Sequence, residues 1–174
     1  MPWQQFNDSL GTAHNVWIQS MAQTCGPSCC MMVARIVNHQ SMDSESSMRA
    51  IIDKVESSAW DSLGRVGGRI SWDVEGSLPA SLTQTLSALK INSAYTNKTS
   101  TIAVLCASKA TKTKPSIMFV DWGDGTGHFV VCLGPLNGTT ILFLDPAVGV
   151  QEVLTANLPT YQTGTLRSPA VTTI

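Results

Sequence analysis

Three short apolar runs in the second half of the chain do most to limit its fold. They are Pro115-Ser-Ile-Met-Phe-Val-Asp121, His128-Phe-Val-Val-Cys-Leu133 and Thr139-Thr-Ile-Leu-Phe-Leu-Asp145. Trp-Gly-Asp-Gly-Thr-Gly separates the first pair, and Gly-Pro-Leu-Asn-Gly the second. Apolar runs this short, bounded by glycine turns, are strands rather than helices. Turns this tight join antiparallel neighbours. Val150 to Leu154 is a candidate fourth strand. The tail after Pro159 is Thr-rich, and the expectation there is a loosely held end.

The first half has a different period. Met32, Val33, Ile36 and Val37 recur at helical spacing, which predicts a helix from about Cys25 to about His39 with Thr24 as its N-cap. Ser46 or Ser47 opens a second helix, with Met48, Ile51, Ile52 and Val55 on one face. Pro79 begins a third, carrying Leu82, Leu86 and Leu89. Asn92 to Thr96 is a short strand, and Ile102, Leu105 and Cys106 suggest a fourth helix. Residues 57–78 hold four glycines with Trp60 and Trp72, and they predict a long loop. Residues 1–18 are expected to be irregular, with Trp3, Phe6 and Trp17 as packing anchors. Helices first and an antiparallel sheet second give an α+β class. The 174 residues fit one domain, 1–174. A chain of that size buries roughly 70% of its unfolded surface.

Composition removes several function classes. Hydrophobic residues make up 43% of the chain, so it is globular rather than disordered. The net charge of −1 gives no electrostatic case for nucleic acid or an anionic membrane. No apolar run approaches a membrane span. The N-terminus lacks the basic and apolar regions of a signal peptide, so the expected location is cytoplasmic, or outside the cell by a leaderless route. Five cysteines do not make a disulfide scaffold. Cys106 and Cys132 are expected to be buried thiols.

Cys25 is placed differently. It opens a buried helix, where unpaired N–H groups and the positive end of the dipole favour thiolate over thiol. A cysteine nucleophile needs a base, and the base needs an orienting partner. Of the three histidines, His14 lies in the N-terminal region and His39 near a helix end, where a cation suits the dipole. His128 opens the middle strand straight after Gly127, a residue that allows close approach of backbone or substrate. Asp145 ends the next strand, at the same edge of the sheet if the two strands are hairpin neighbours. Cys25, His128 and Asp145 then form a nucleophile, base and orienter. The Cys25 N–H is one donor for an oxyanion, and Gln19 or Gln23 supplies the other.

Alternatives stand beside each assignment. Cys29 follows Gln23 at the spacing by which Cys25 follows Gln19, but Cys29 and Cys30 fall a turn inside the helix, where thiols are buried and inert. Cys25 and Cys29 could share a zinc face, yet no second Cys/His pair follows at finger or ribbon spacing, so no metal is expected. Asp121 or Asp124 could replace Asp145. Trp122, between those two, is a candidate wall of the substrate cleft, with Gly26 and Gly127 as further candidates.

Gln19, five residues, then Cys25-Gly-Pro and an apolar helix resembles the papain-like cysteine peptidases. The closer likeness is to their C39 and C39-like branch. Gly127-His128-Phe-Val-Val is similar to that branch's histidine strand, and Leu144-Asp145-Pro146-Ala147 with Gly149 to its Asp-Pro-Ala ending. The three motifs occur in the family's order and frame residues 19–149. The resemblance implies Gln19 in the oxyanion hole, Cys25 as nucleophile, His128 as general base and then acid, and Asp145 as orienter. Peptidases of this branch cut after double glycines, but the Gly67-Gly68 pair here reads as a flexible turn.

The expectation is therefore a cysteine peptidase that forms an acyl-enzyme on a protein or peptide substrate and needs no cofactor. Glutamine deamidation or another acyl transfer, in a toxin or effector, uses the same constellation. A non-catalytic binding module on a degenerate peptidase fold is the third reading. An activating or inhibitory partner protein is left open by the sequence.

Overall fold

The computed structural model describes residues 3–51, 54, 79–96, 107 and 109–174. The expected loop over 57–78 lies outside these residues, as do Cys106 and most of the expected fourth helix.

The N-terminal segment, expected to be irregular, is a hairpin of β1 (Trp3–Asn7) and β2 (Ala13–Trp17). Its turn is built by Asp8, whose Oδ1 accepts the N–H groups of Leu10 at 3.0 Å and Thr12 at 2.8 Å. Gly11 takes a φ of 82°, which favours glycine. Trp3 and Trp17 face each other across the hairpin, edge to face, with centroids 5.2 Å apart.

A 3₁₀ turn over Ala22–Thr24 runs directly into α1 (Cys25–Asn38). Thr24 occupies the N-cap position, but its hydroxyl does not cap α1. It donates instead to the Met21 carbonyl at 2.9 Å and so closes the 3₁₀ turn. From Cys25 to Ala34 every residue of α1 is buried. The helix stops at His39, which adopts a left-handed conformation at φ 55°. Residues 45–51 are helical, as the Met48 and Ile51 spacing predicts. The third expected helix is α2 (Pro79–Ala88), with Leu82 and Leu86 fully buried.

The described residues form one sheet of seven strands, all paired antiparallel. Its strands are β3 (Ser93–Thr96), β4 (Ser116–Asp121), β5 (Gly127–Pro135), β6 (Thr140–Asp145), β7 (Gly149–Leu154), β8 (Thr160–Tyr161) and β9 (Gly164–Thr173). The main order is β3-β9-β4-β5-β6-β7, with β8 paired to β9. The tail expected to be loose is thus an interior strand, and Leu166, Val171 and Thr173 are buried in it.

Residues of β5 and β6 alternate between two cores. Phe129, Val131, Leu133, Leu142 and Leu144 pack with α1 and α2. Val130, Cys132, Ile141 and Phe143 pack on the other face with Tyr161 and Leu166. Both faces are covered, which explains why these strands read as continuous apolar runs. A bulge between Cys132 and Gly134 lets β5 bend. Gly134 sits there at φ 83°, and a Cβ on it would overlap the Ala110 carbonyl.

Candidate active site

The buried start of α1 brings Cys25 to the sheet edge where β5 begins and β6 ends. Cys25 is 5% exposed, His128 7% and Asp145 1%. His128 Nε2 lies 2.8 Å from Asp145 Oδ1. The Cys25 thiol is near enough to the imidazole to help hold a proton on it. With Nε2 held by the carboxylate, Nδ1 is the nitrogen left for sulfur. Trp122 stacks over the imidazole at 6.0 Å between centroids and 22° between planes, and so roofs it against solvent.

The charges of this cluster support one another. Burial alone pushes His128 down, but the hydrogen bond and charge of Asp145, together with Cys25, outweigh it and lift His128 to about 9. Burial alone would raise Asp145. The His128 hydrogen bond and charge, the Ala147 N–H at 2.8 Å and the Tyr161 hydroxyl hold it below the usual carboxylate range instead. Tyr161 donates to Asp145 Oδ2 at 2.8 Å and is fully buried, with Gln162 Nε2 further off at 3.4 Å. Burial, then the neighbouring Asp145, pushes the Tyr161 phenol up, so it remains a donor. The sequence offered no motif for Tyr161. Its signal was only a lone aromatic in a polar stretch.

The other expected residues are placed as follows. Cys29 and Cys30 are 0% exposed, and burial pushes both thiols up, Cys29 further through Cys25 and its other charged neighbours. Neither is presented as a nucleophile. Asp121 accepts the Gly123 N–H and pairs with Arg167 at 3.1 Å, while Asp124 accepts from Thr126. Both carboxylates are engaged elsewhere, Asp124 within its loop and Asp121 partly with Arg167 of β9, and the one on His128 is Asp145. Gly26 is buried in the first turn of α1. Gly127 is required for a different reason from the one expected. A Cβ there would fall on the Phe119 ring, so packing by this side chain already demands glycine.

Gln19 stands beside the start of α1, tied by its backbone N–H to the Pro146 carbonyl at 2.8 Å. Its side-chain nitrogen donates to the carbonyls of Met21 at 3.0 Å and Ala22 at 3.3 Å. Its Oε1 is buried, and no donor meets it among the described residues. Gln23 lies in the 3₁₀ turn itself.

The same arrangement of helix and sheet occurs in a double glycine motif protease from an AMS/PCAT transporter, solved in complex with its leader peptide. The two superpose with a TM-score of 0.59 at 16% identity, over 90% of this chain and 87% of that one. The fold is that of the papain-like, C39-like peptidases. A Pseudomonas avirulence protein, AvrPphB, aligns over 84% of this chain and 90% of its own at 10% identity and a TM-score of 0.45. No protein-family model matches the sequence, and no curated protein matches it either.

Proposed function

We propose that this C39-like fold carries a cysteine peptidase with Cys25 as nucleophile, His128 as proton carrier and Asp145 as its orienter. The observation that carries the reading is His128 held on a carboxylate at 2.8 Å beside a buried thiol at a helix start.

In this reading the Cys25 sulfur attacks the amide carbonyl carbon, and its proton resides on His128. The oxyanion forms beside the Cys25 N–H. Gln19 joins as the second donor by turning one amide proton from a 3₁₀ carbonyl to the oxyanion. Collapse breaks the C–N bond, and His128 gives its proton to the leaving amine. Water then attacks the thioester, with His128 accepting a proton. The carboxylic acid product leaves and the thiol is restored. Asp145 keeps the ring in register through both steps. Trp122 forms a wall of the cleft. The double glycine protease holds a peptide in its own structure, which favours a peptide substrate here.

The test is to incubate the chain with a proteome-derived peptide library and identify new N-termini by mass spectrometry, with Cys25→Ala as control. New N-termini absent from the control are the expected result. Ammonia release without chain cleavage would replace peptidase with deamidase. Neither product, together with partner capture unaffected by Cys25→Ala, would overturn catalysis altogether.

A further inference from the structure

Two of the three histidines take no part in the site at the start of α1. His14 and His39 instead line a cavity of about 510 Å³ at the other end of that helix. Arg35 and Lys112 stand beside them, and among the described residues no carboxylate lines the space. Its apolar wall is Ile36, Leu133 and Leu144. At 1.5 Å per residue, Arg35 lies about 15 Å along the helix from Cys25.

Asp8 is the acid behind this cavity, and it is already engaged. Its side chain is fully buried, its Oδ2 pairs with His14 Nε2 at 2.9 Å, and its Oδ1 accepts the two turn N–H groups. Lys112 Nζ also pairs with Oδ2 at 3.9 Å, a longer contact than that of His14. Two permanent cations therefore stand against one internal anion, with His14 in the cavity lining between them. Arg35 is pre-positioned: its guanidinium rests on the Trp3 ring at 4.6 Å, and its Nη1 donates to the Ser41 hydroxyl at 3.4 Å in the cavity lining. The negative end of the α1 dipole opposes an anion here. Its Ala34 carbonyl, however, already takes the N–H groups of His39 and Gln40, and a dipole end is weaker than two full charges.

We propose that this cavity binds a small oxyanion, a phosphate or carboxylate, carried on a compact apolar body. The cations take the charge, and the apolar wall, chiefly the partly exposed Ile36, takes the body. The site is independent of the catalytic reading.

The test titrates the intact chain at fixed ionic strength with inorganic phosphate, phenyl phosphate, benzoate and benzyl alcohol, following the histidine ring resonances by NMR. Saturable shifts of His14 and His39, with His128 still, are expected for phenyl phosphate or benzoate. The tighter of the two identifies the headgroup. The apolar body should tighten binding about tenfold over inorganic phosphate. Lys112→Gln, at an exposed side chain, should weaken it at least about fivefold. The proposal is overturned by the absence of saturation, by equal binding of benzyl alcohol, by full affinity in Lys112→Gln, or by a shift at His128.

Discussion

The Tyr161 hydroxyl donates to Asp145 Oδ2 at 2.8 Å, so the carboxylate that holds His128 is itself held from the far side. Tyr161→Phe leaves that oxygen with only the long Gln162 contact. A buried acceptor stripped of its donor costs about 1–3 kcal/mol. We expect that loss in denaturant unfolding. The lost donor also lowers Asp145's acidity, so the acid limb of activity should move to higher pH. An unmoved acid limb would assign Tyr161 a packing role only.

The charge pattern sets a pH window. His128 is raised to about 9, so its stabilising contribution is complete below the unfolded value of about 6.5 and is lost as pH rises through about 9. Asp145 is depressed, so its contribution is complete above about 4 and is lost as pH falls through its lowered folded value. Unfolding free energy measured against pH should be greatest between these limits, and His128→Gln should flatten the alkaline side. An alkaline limb of kcat/KM near 9 should mark loss of the proton destined for the leaving amine.

The three cysteines of α1 should differ in reactivity. Cys29 and Cys30 are sealed and their thiols are raised by burial, so only unfolding should expose them. Iodoacetamide on the native chain, mapped by mass spectrometry, should find Cys25 first. His128→Ala should slow that labelling by about tenfold or more. Early labelling of Cys29 would move the nucleophile one turn along the helix.

Gln19→Ala removes the side-chain amide but keeps the backbone bond to Pro146. If the amide reaches the oxyanion only in the transition state, kcat should fall by about 10²-fold with KM little changed. A rise in KM alone would place Gln19 in substrate binding.

Gly134→Ala tests the bulge in β5. A side chain there combines a positive φ with overlap of the Ala110 backbone, which cannot retreat as a flexible side chain would. A loss of about 2 kcal/mol or more is expected in thermal or denaturant unfolding.

Much of this arrangement was legible from residues alone. The α1 periodicity and the three apolar runs placed Cys25, His128 and Asp145 on elements whose ends meet. What escaped has a physical reason in each case. The β1–β2 hairpin turns on Asp8 side-chain bonds across a five-residue loop, not on a two-residue turn signal. Strand β9 has few apolar residues because its position comes from pairing with β3 and β4 on both edges. Tyr161 touches Asp145 only because β8 folds back over the second core, a contact that no local pattern announces. The orientation of the Gln19 amide likewise depends on carbonyls presented by a 3₁₀ turn that the Thr24 cap signal concealed.

The interior position of β9 also orders events during synthesis. Its residues are made after those of every strand they join, yet β4 has β9 as one neighbour and, among the described residues, β3 meets the sheet only through it. Until β9 is made, the edge of β4 that it covers stays open, so the sheet bearing His128 and Asp145 is finished only by nearly the last residues of this sequence.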